Sequence, residues 1–180
     1  MKLIPRPEYM NFLKRYQDHH LIKVISGVRR CGKSTLFYLY RQYLLNHGVM
    51  PEQIITINFE DLAYESLCEY HALYRYIMER MQADKMNYIF LDEIQHVKNF
   101  EKVVDSLFIK DNADVYITGS NAYFMSGDLA TLLTGRYVEL SMLPLSFREF
   151  SQGMTGDMSL SEQYNAYIRI SSFPYALQFQ

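Results

Sequence analysis

The sequence predicts an α/β domain built on a mainly parallel sheet. Short apolar runs of strand length alternate with amphipathic stretches at helical spacing. The run Tyr88-Ile89-Phe90-Leu91 is apolar throughout, as a strand covered on both faces should be. With 180 residues, 49% apolar and 21% charged, the chain has the size and composition of one globular domain with its own core.

The elements follow in order. Residues 21–26 form the first strand. A helix starts near Lys33, carries Leu36, Leu39, Tyr40, Tyr43 and Leu44 on one face, and stops at Gly48, with Pro51 beyond. Residues 54–59 are the second strand and residues 67–81 a helix. Residues 88–91 are the third strand, followed by a helix with Phe100, Val103, Val104, Leu107 and Phe108 on one face. Residues 114–118 make the fourth strand. Residues 126–133 are helix or loop, and 137–140 the fifth strand. After Pro144 the pattern turns helical, through 147–150 and 161–170. The polar, glycine-containing stretch 152–158 reads as a hinge. It divides a core domain, 1–150, from a partial helical lid, 151–180. Phe173, Tyr175, Leu177 and Phe179 run on to Gln180 with no polar tail. That ending fits a fragment of a longer protein or a C-terminal helix tucked onto the core equally well.

Composition excludes several classes. A net charge of -2 gives no bulk basic surface for nucleic acid or membrane. Two cysteines, Cys31 and Cys68, cannot make a disulfide framework and point to a reducing cytoplasm. No apolar run approaches the roughly 18 residues of a membrane span, and residues 1–10 lack the apolar stretch of a signal peptide.

Gly27-Val28-Arg29-Arg30-Cys31-Gly32-Lys33-Ser34-Thr35 fits G-x-x-x-x-G-K-[ST] between a strand and a helix. In such a loop the backbone amides point inward as an anion nest, and the positive end of the helix dipole adds to it. Lys33 supplies a cation for β and γ phosphates, Ser34 a hydroxyl for Mg²⁺, and Thr35 a group facing the α phosphate. Glycine at 27 and 32 allows close backbone approach. Cys31 is a spacer, since no partnered histidine accompanies it.

The strand ending Leu91-Asp92-Glu93 brings two carboxylates to the crevice at the carboxyl end of the sheet. Asp92 is placed to hold Mg²⁺, directly or through water, and Glu93 to orient and deprotonate an attacking water. The interval from Lys33 to Asp92 holds one strand and its crossover, and a further strand is expected between the two motif strands. The fourth strand ends Thr118-Gly119-Ser120-Asn121. Asn121 or Ser120 is either a polar sensor of the γ-phosphate or a helix N-cap. Arg136 before the fifth strand is either a finger for the transferring phosphoryl group, in its own or a neighbouring subunit, or a surface salt bridge. The histidines lack metal-ligand spacing. Arg6 and Tyr9 lie where chain often packs near a bound adenine. Tyr38, Tyr40 and Tyr43 read as helix packing.

On these residues the chain resembles prokaryotic ATPases of the AAA superfamily that carry a C-terminal domain of unknown function. The matching stretches are Ile4-Pro5-Arg6-Pro7-Glu8-Tyr9, the phosphate loop, residues 90–97, 117–121, Thr134-Gly135-Arg136 and Leu143-Pro144-Leu145-Ser146-Phe147-Arg148-Glu149-Phe150. The resemblance implies a P-loop NTPase fold, with a five-stranded parallel sheet sandwiched by helices and the start of a small helical lid. The fourth strand would lie between the phosphate-loop strand and the acidic strand. It implies Mg²⁺-dependent ATP hydrolysis, with Asn121 as sensor and Arg136 as finger. It also implies a chain ending at 180 inside the lid. A homo-oligomer donating that arginine is a further partner expectation. Ser171-Ser172-Phe173-Pro174 departs from the pattern, which has glycines before the proline. A binding switch with little hydrolysis is the alternative, and a DNA or protein partner is a family-level expectation. No base-reading Asn/Thr-Lys-x-Asp motif is present, which favours adenine over guanine.

Overall fold

The computed structural model describes residues 3–120, 133, 135–154, 158–169 and 171–175. Five parallel strands form one sheet: β1 (Ile22–Gly27), β2 (Ile54–Asn58), β3 (Asn87–Asp92), β4 (Ala113–Ser120) and β5 (Tyr137–Met142). Their order is β2-β3-β4-β1-β5. β4 therefore separates the acidic strand from the phosphate-loop strand, as the resemblance implied. The helices are α1 (Pro7–Arg15), α2 (Lys33–Asn46), α3 (Tyr70–Met78), α4 (Phe100–Phe108), α5 (Phe147–Gly153) and α6 (Leu160–Arg169).

Alternation along the strands sorts the core onto the two faces. On one face Ile22, Val24, Ile89, Leu91, Val115 and Ile117 pack with Leu73 and Ile77 of α3 and with Val103, Val104 and Leu107 of α4. On the other, Ile25, Tyr88, Phe90 and Tyr116 pack with Leu13 of α1 and with Leu36, Phe37, Tyr40 and Leu44 of α2. Phe90 is held between Tyr116, stacked at 4.8 Å, and the edge of Phe37 at 5.1 Å. Burying a side chain of this kind contributes about 1.5–3 kcal/mol. β1 and β3 are buried at every position, whereas β2 at the sheet edge alternates.

Three expectations change. α1 was read only as chain, yet Pro7 opens it, Glu8 lies in its first turn, and Lys14 and Arg15 lie in its last. The helix expected over 67–81 starts later. Glu69 takes extended backbone and its carboxylate accepts from the Ala72 N–H, so a 3₁₀ segment, Leu62–Leu67, precedes α3. Within α2 the buried set includes Phe37, while Tyr38 is exposed.

At the amino end of the sheet lies a buried pair that the sequence reading did not single out. Lys23 Nζ donates to Asp114, and also to the His19 carbonyl at 2.8 Å. Asp114 accepts in addition from the Asp18 N–H at 2.9 Å and from the Tyr116 hydroxyl at 2.8 Å. These bonds fix the chain between α1 and β1 onto the sheet.

Candidate functional site

β1 ends at Gly27, the chain turns through Val28 to Cys31, and α2 begins at Lys33. The Cys31 N–H closes the turn on the Val28 carbonyl at 3.2 Å. Gly32 is the N-cap of α2 at φ 107°, a backbone conformation that costs a residue with a Cβ. No side chain caps this end. The first N–H groups of a 14-residue helix are thus left for an anion. Gly27 has a different reason to be glycine. A Cβ there would lie 2.5 Å from the Met142 carbonyl oxygen and 2.9 Å from Cys31 Sγ. Its constraint is the close approach of β5, not the wrap around a phosphate.

Lys33 is 3% exposed. Its ammonium donates to the carbonyls of Gly27 at 3.2 Å and Val28 at 3.4 Å, and lies 3.2 Å from Glu93 Oε1. The Glu93 carboxylate also accepts from Gln95 Nε2 at 2.6 Å. Glu93 sits at φ 56°, ψ 49°, left-handed backbone that a non-glycine residue adopts at a cost of about 1–3 kcal/mol. Its N–H donates to Thr118 Oγ1 at 2.9 Å, which holds the residue there. The Thr118 hydroxyl in turn donates to Asp92 Oδ1. Burial pushes the Asp92 carboxyl above the usual aspartate range, against the hydrogen bonds from Ser34 and Thr118.

Lys33, Ser34, Asp92 and Glu93 therefore meet at the carboxyl end of the sheet. A cleft of about 500 Å³ opens over Lys33, Ser34 and Glu93, lined also by Arg29, Arg30, Thr35, Glu60, Pro174 and Tyr175, with Asp92 buried beneath. Arg29 pairs with Glu60 at 2.7 Å, both side chains well exposed. Cys31 is fully buried, and burial raises its thiol pKa, in keeping with its reading as a spacer. Ser34 and Asp92 offer a hydroxyl and a carboxylate in contact, a donor set that suits Mg²⁺ completed by water and phosphate oxygens. Among the described residues no group of three or more His, Cys, Asp or Glu makes a cage for a metal held by protein alone.

A second cleft, of about 580 Å³, lies between the N-terminal arm and the helices after β5. Arg6, Tyr9, Pro144, Glu149, Tyr167 and Ser172 are among its walls. Tyr9 lines it too, and its hydroxyl accepts from the Leu143 N–H at 3.2 Å.

Arg136 is not brought to the phosphate loop. Its carbonyl accepts from the Ile22 N–H, which places it at the amino end of the sheet. The six residues of β1, at about 3.3 Å each, separate it from the loop by about 20 Å. Its guanidinium pairs with Asp105 at 2.9 Å. The reading of Arg136 as a finger on its own chain's phosphoryl group is therefore corrected. Asn121 lies outside the described residues. Ser120 ends β4 opposite Gly27.

The family model described as AAA domain matches residues 19–151, which span both motifs. The chain belongs to the AAA domain family. Two curated relatives are similar to it. An uncharacterized protein of Haemophilus influenzae is 41% identical over 176 residues, 96% of this chain and 44% of that protein. An uncharacterized protein of Methanocaldococcus jannaschii is 38% identical over 132 residues, 72% of this chain and 28% of that one. The chain thus spans less than half the length of either. Among solved structures, a Walker-type ATPase of Pyrococcus abyssi superposes with a TM-score of 0.67 at 16% identity, covering 98% of this chain and 66% of that one. Hsp104 of Saccharomyces cerevisiae, in a complex with casein, gives 0.68 at 12% identity over 98% of this chain and 36% of that one. At such identities these two show the fold alone. No helix among the described residues of this AAA domain is long and apolar enough to cross a membrane.

Thr118 is a residue of consequence that the sequence did not single out, and Arg6 has a role other than the one read for it. Thr118 was visible only as part of a polar strand end. Arg6 was read beside an adenine, whereas its guanidinium is spent on protein carbonyls and a carboxylate.

Proposed function

We propose that this AAA domain binds Mg-ATP in the cleft over the phosphate loop and hydrolyses it. The observation that carries the reading is the contact of Lys33 with Glu93 at 3.2 Å, beside the uncapped start of α2. A phosphate cation and a general base share one spot in a site built to receive an anion. Triphosphate in the nest draws Lys33 off the Gly27 and Val28 carbonyls and off Glu93, because the phosphate charge exceeds what those partners offer. Glu93, held in its left-handed conformation through Thr118, then accepts a proton from water as that water attacks the γ-phosphorus. The bond from that phosphorus to the bridging oxygen breaks, giving ADP and inorganic phosphate. Ser34 and Asp92 would hold Mg²⁺, which supplies charge neutralisation on the phosphate oxygens. The adenine ring is assigned to the second cleft, against Tyr9, and Arg136 to the site of a neighbouring copy. In this reading residues 151–180 are the start of a lid whose movement passes the nucleotide state to an attached domain.

The pairing of Glu93 with Lys33 and Gln95 also favours a second reading, a nucleotide switch with little turnover, because the base is occupied in this arrangement. Phosphate release with Mg-ATP alone separates the two. Hydrolysis by the wild type, lost in Lys33→Ala and reduced about 10²–10⁴-fold in Glu93→Gln with binding kept, is the expected result. Tight binding without release supports the switch. Release unaffected by Glu93→Gln contradicts the proposed role of Glu93.

A further inference from the structure

Arg6 is 6% exposed and spends its whole guanidinium within the protein. Nε and Nη2 donate to the two carboxylate oxygens of Glu149 at 2.9 and 3.2 Å, a bidentate pair. Nη1 donates to the carbonyls of Cys31 at 3.2 Å and Leu143 at 2.9 Å, and Nη2 also to the Pro144 carbonyl at 3.2 Å. The side chain stands over the Tyr9 ring at 4.3 Å. One residue of the N-terminal arm therefore touches the phosphate loop, the exit of β5 and the first turn of α5.

The bond to Cys31 bears on the nest directly. A peptide unit is planar and, here, trans, so its C=O and N–H point in opposite directions. Drawing the Cys31 carbonyl out toward Arg6 turns the Gly32 N–H the other way, into the loop. Gly32 has no Cβ to resist rotation of that peptide, so an external donor is what fixes it. Glu149 fixes the donor. Its own geometry is set by the capping box at the start of α5, where it accepts from the Ser146 N–H at 2.8 Å and from the Ser146 hydroxyl at 2.9 Å. Burial works against the Glu149 carboxylate, but the hydrogen bonds from Arg6 and Ser146 outweigh it and hold its carboxyl below the usual glutamate range.

We propose that Arg6 is a positioning residue that orients the Cys31–Gly32 peptide for phosphate and, through its fork on Glu149, ties the phosphate loop to α5. This rests on the reading of the loop as a nucleotide site. A shift of α5 then alters the nest without any α5 side chain reaching the phosphate.

The test is calorimetric titration of the chain with Mg-ATP for the wild type, Arg6→Lys and Glu149→Gln, with the melting temperature and the KM and kcat of phosphate release alongside. Lysine keeps the charge but cannot span Glu149 and three carbonyls. Glu149→Gln keeps size and loses the bidentate acceptor. Both variants are expected to fold and melt cooperatively, to bind Mg-ATP at least tenfold more weakly, and to raise KM in the same proportion, with kcat within about threefold of wild type. A purely structural staple would lower the melting temperature and leave the affinity of the folded protein alone, and that outcome overturns the proposal. Wild-type binding with equal affinity in Arg6→Lys overturns it too. Absence of binding by the wild type sinks the nucleotide reading itself, and the proposal with it, and is told apart by the wild-type trace.

Discussion

The Thr118 hydroxyl donates to Asp92 and accepts from the Glu93 N–H at 2.9 Å, so one side chain orders both acidic residues. Replacing it by valine keeps the shape and leaves a buried N–H and a buried carboxylate short of a partner. Unmet polar groups of this kind cost about 1–3 kcal/mol. Thr118→Val is expected to lower stability by that amount in denaturant melts and to reduce phosphate release as Glu93 leaves its left-handed conformation. A variant with wild-type stability and turnover would show that Thr118 holds nothing. At this scale the site was partly legible. Lys33, Ser34, Asp92 and Glu93 were found because each occupies a fixed slot of a motif and chemistry dictates its type. The role of Thr118 and the partners of Arg6 were not, because those contacts lie across the sheet or more than a hundred residues away: Arg6 meets Glu149 only after the chain has closed.

Elements show the same division. Strands were legible because full burial selects unbroken apolar runs, and β3 is buried at all six positions. α1 was missed although its signals are local, because a single buried leucine, Leu13, leaves little periodicity to read. The start of α3 was misplaced because Glu69 is an unusual N-cap. The two loop glycines look alike in sequence and differ in structure. Gly32 is required by its φ of 107°, Gly27 by the backbone of β5 pressed 2.5 Å from where a Cβ would go. Gly27→Ala must part β1 from β5. It is expected to destabilise the domain by about 1–3 kcal/mol, as overpacking does, and to weaken Mg-ATP binding. Gly48→Ala is the comparison. That site has φ 92° and open space around the added carbon, so a strain of about 1–2 kcal/mol with unchanged binding is expected. Equal effects of the two on binding, read by melting and titration, would contradict the strand-packing account of Gly27.

On the scale of the molecule, the order β2-β3-β4-β1-β5 puts β4 between the two motif strands, so that Thr118, in register with Ile25 of β1, orders Asp92 and Glu93 at the end of β3. The parallel sheet also gives the domain two unlike ends. Lys33, Asp92 and Glu93 gather at one, and Arg136, bound to Asp105, lies at the other. Sequence spacing carried the first fact, since both motifs end strands. The second could have been read too, because an arginine that precedes a strand of the expected parallel sheet lies at its amino end, and β5 is parallel to β1. An arginine so placed can serve a phosphoryl group only on another copy, stacked so that the amino end of one sheet meets the carboxyl end of the next. All of this presupposes that the loop takes nucleotide. Calorimetric titration of the chain with Mg-ATP, beside Mg-GTP and the Lys33→Ala variant, tests that claim most directly. Saturable binding of Mg-ATP, weaker for Mg-GTP and lost in Lys33→Ala, is the predicted result. No heat of binding with either nucleotide in a folded sample, or binding that survives Lys33→Ala unchanged, would contradict it.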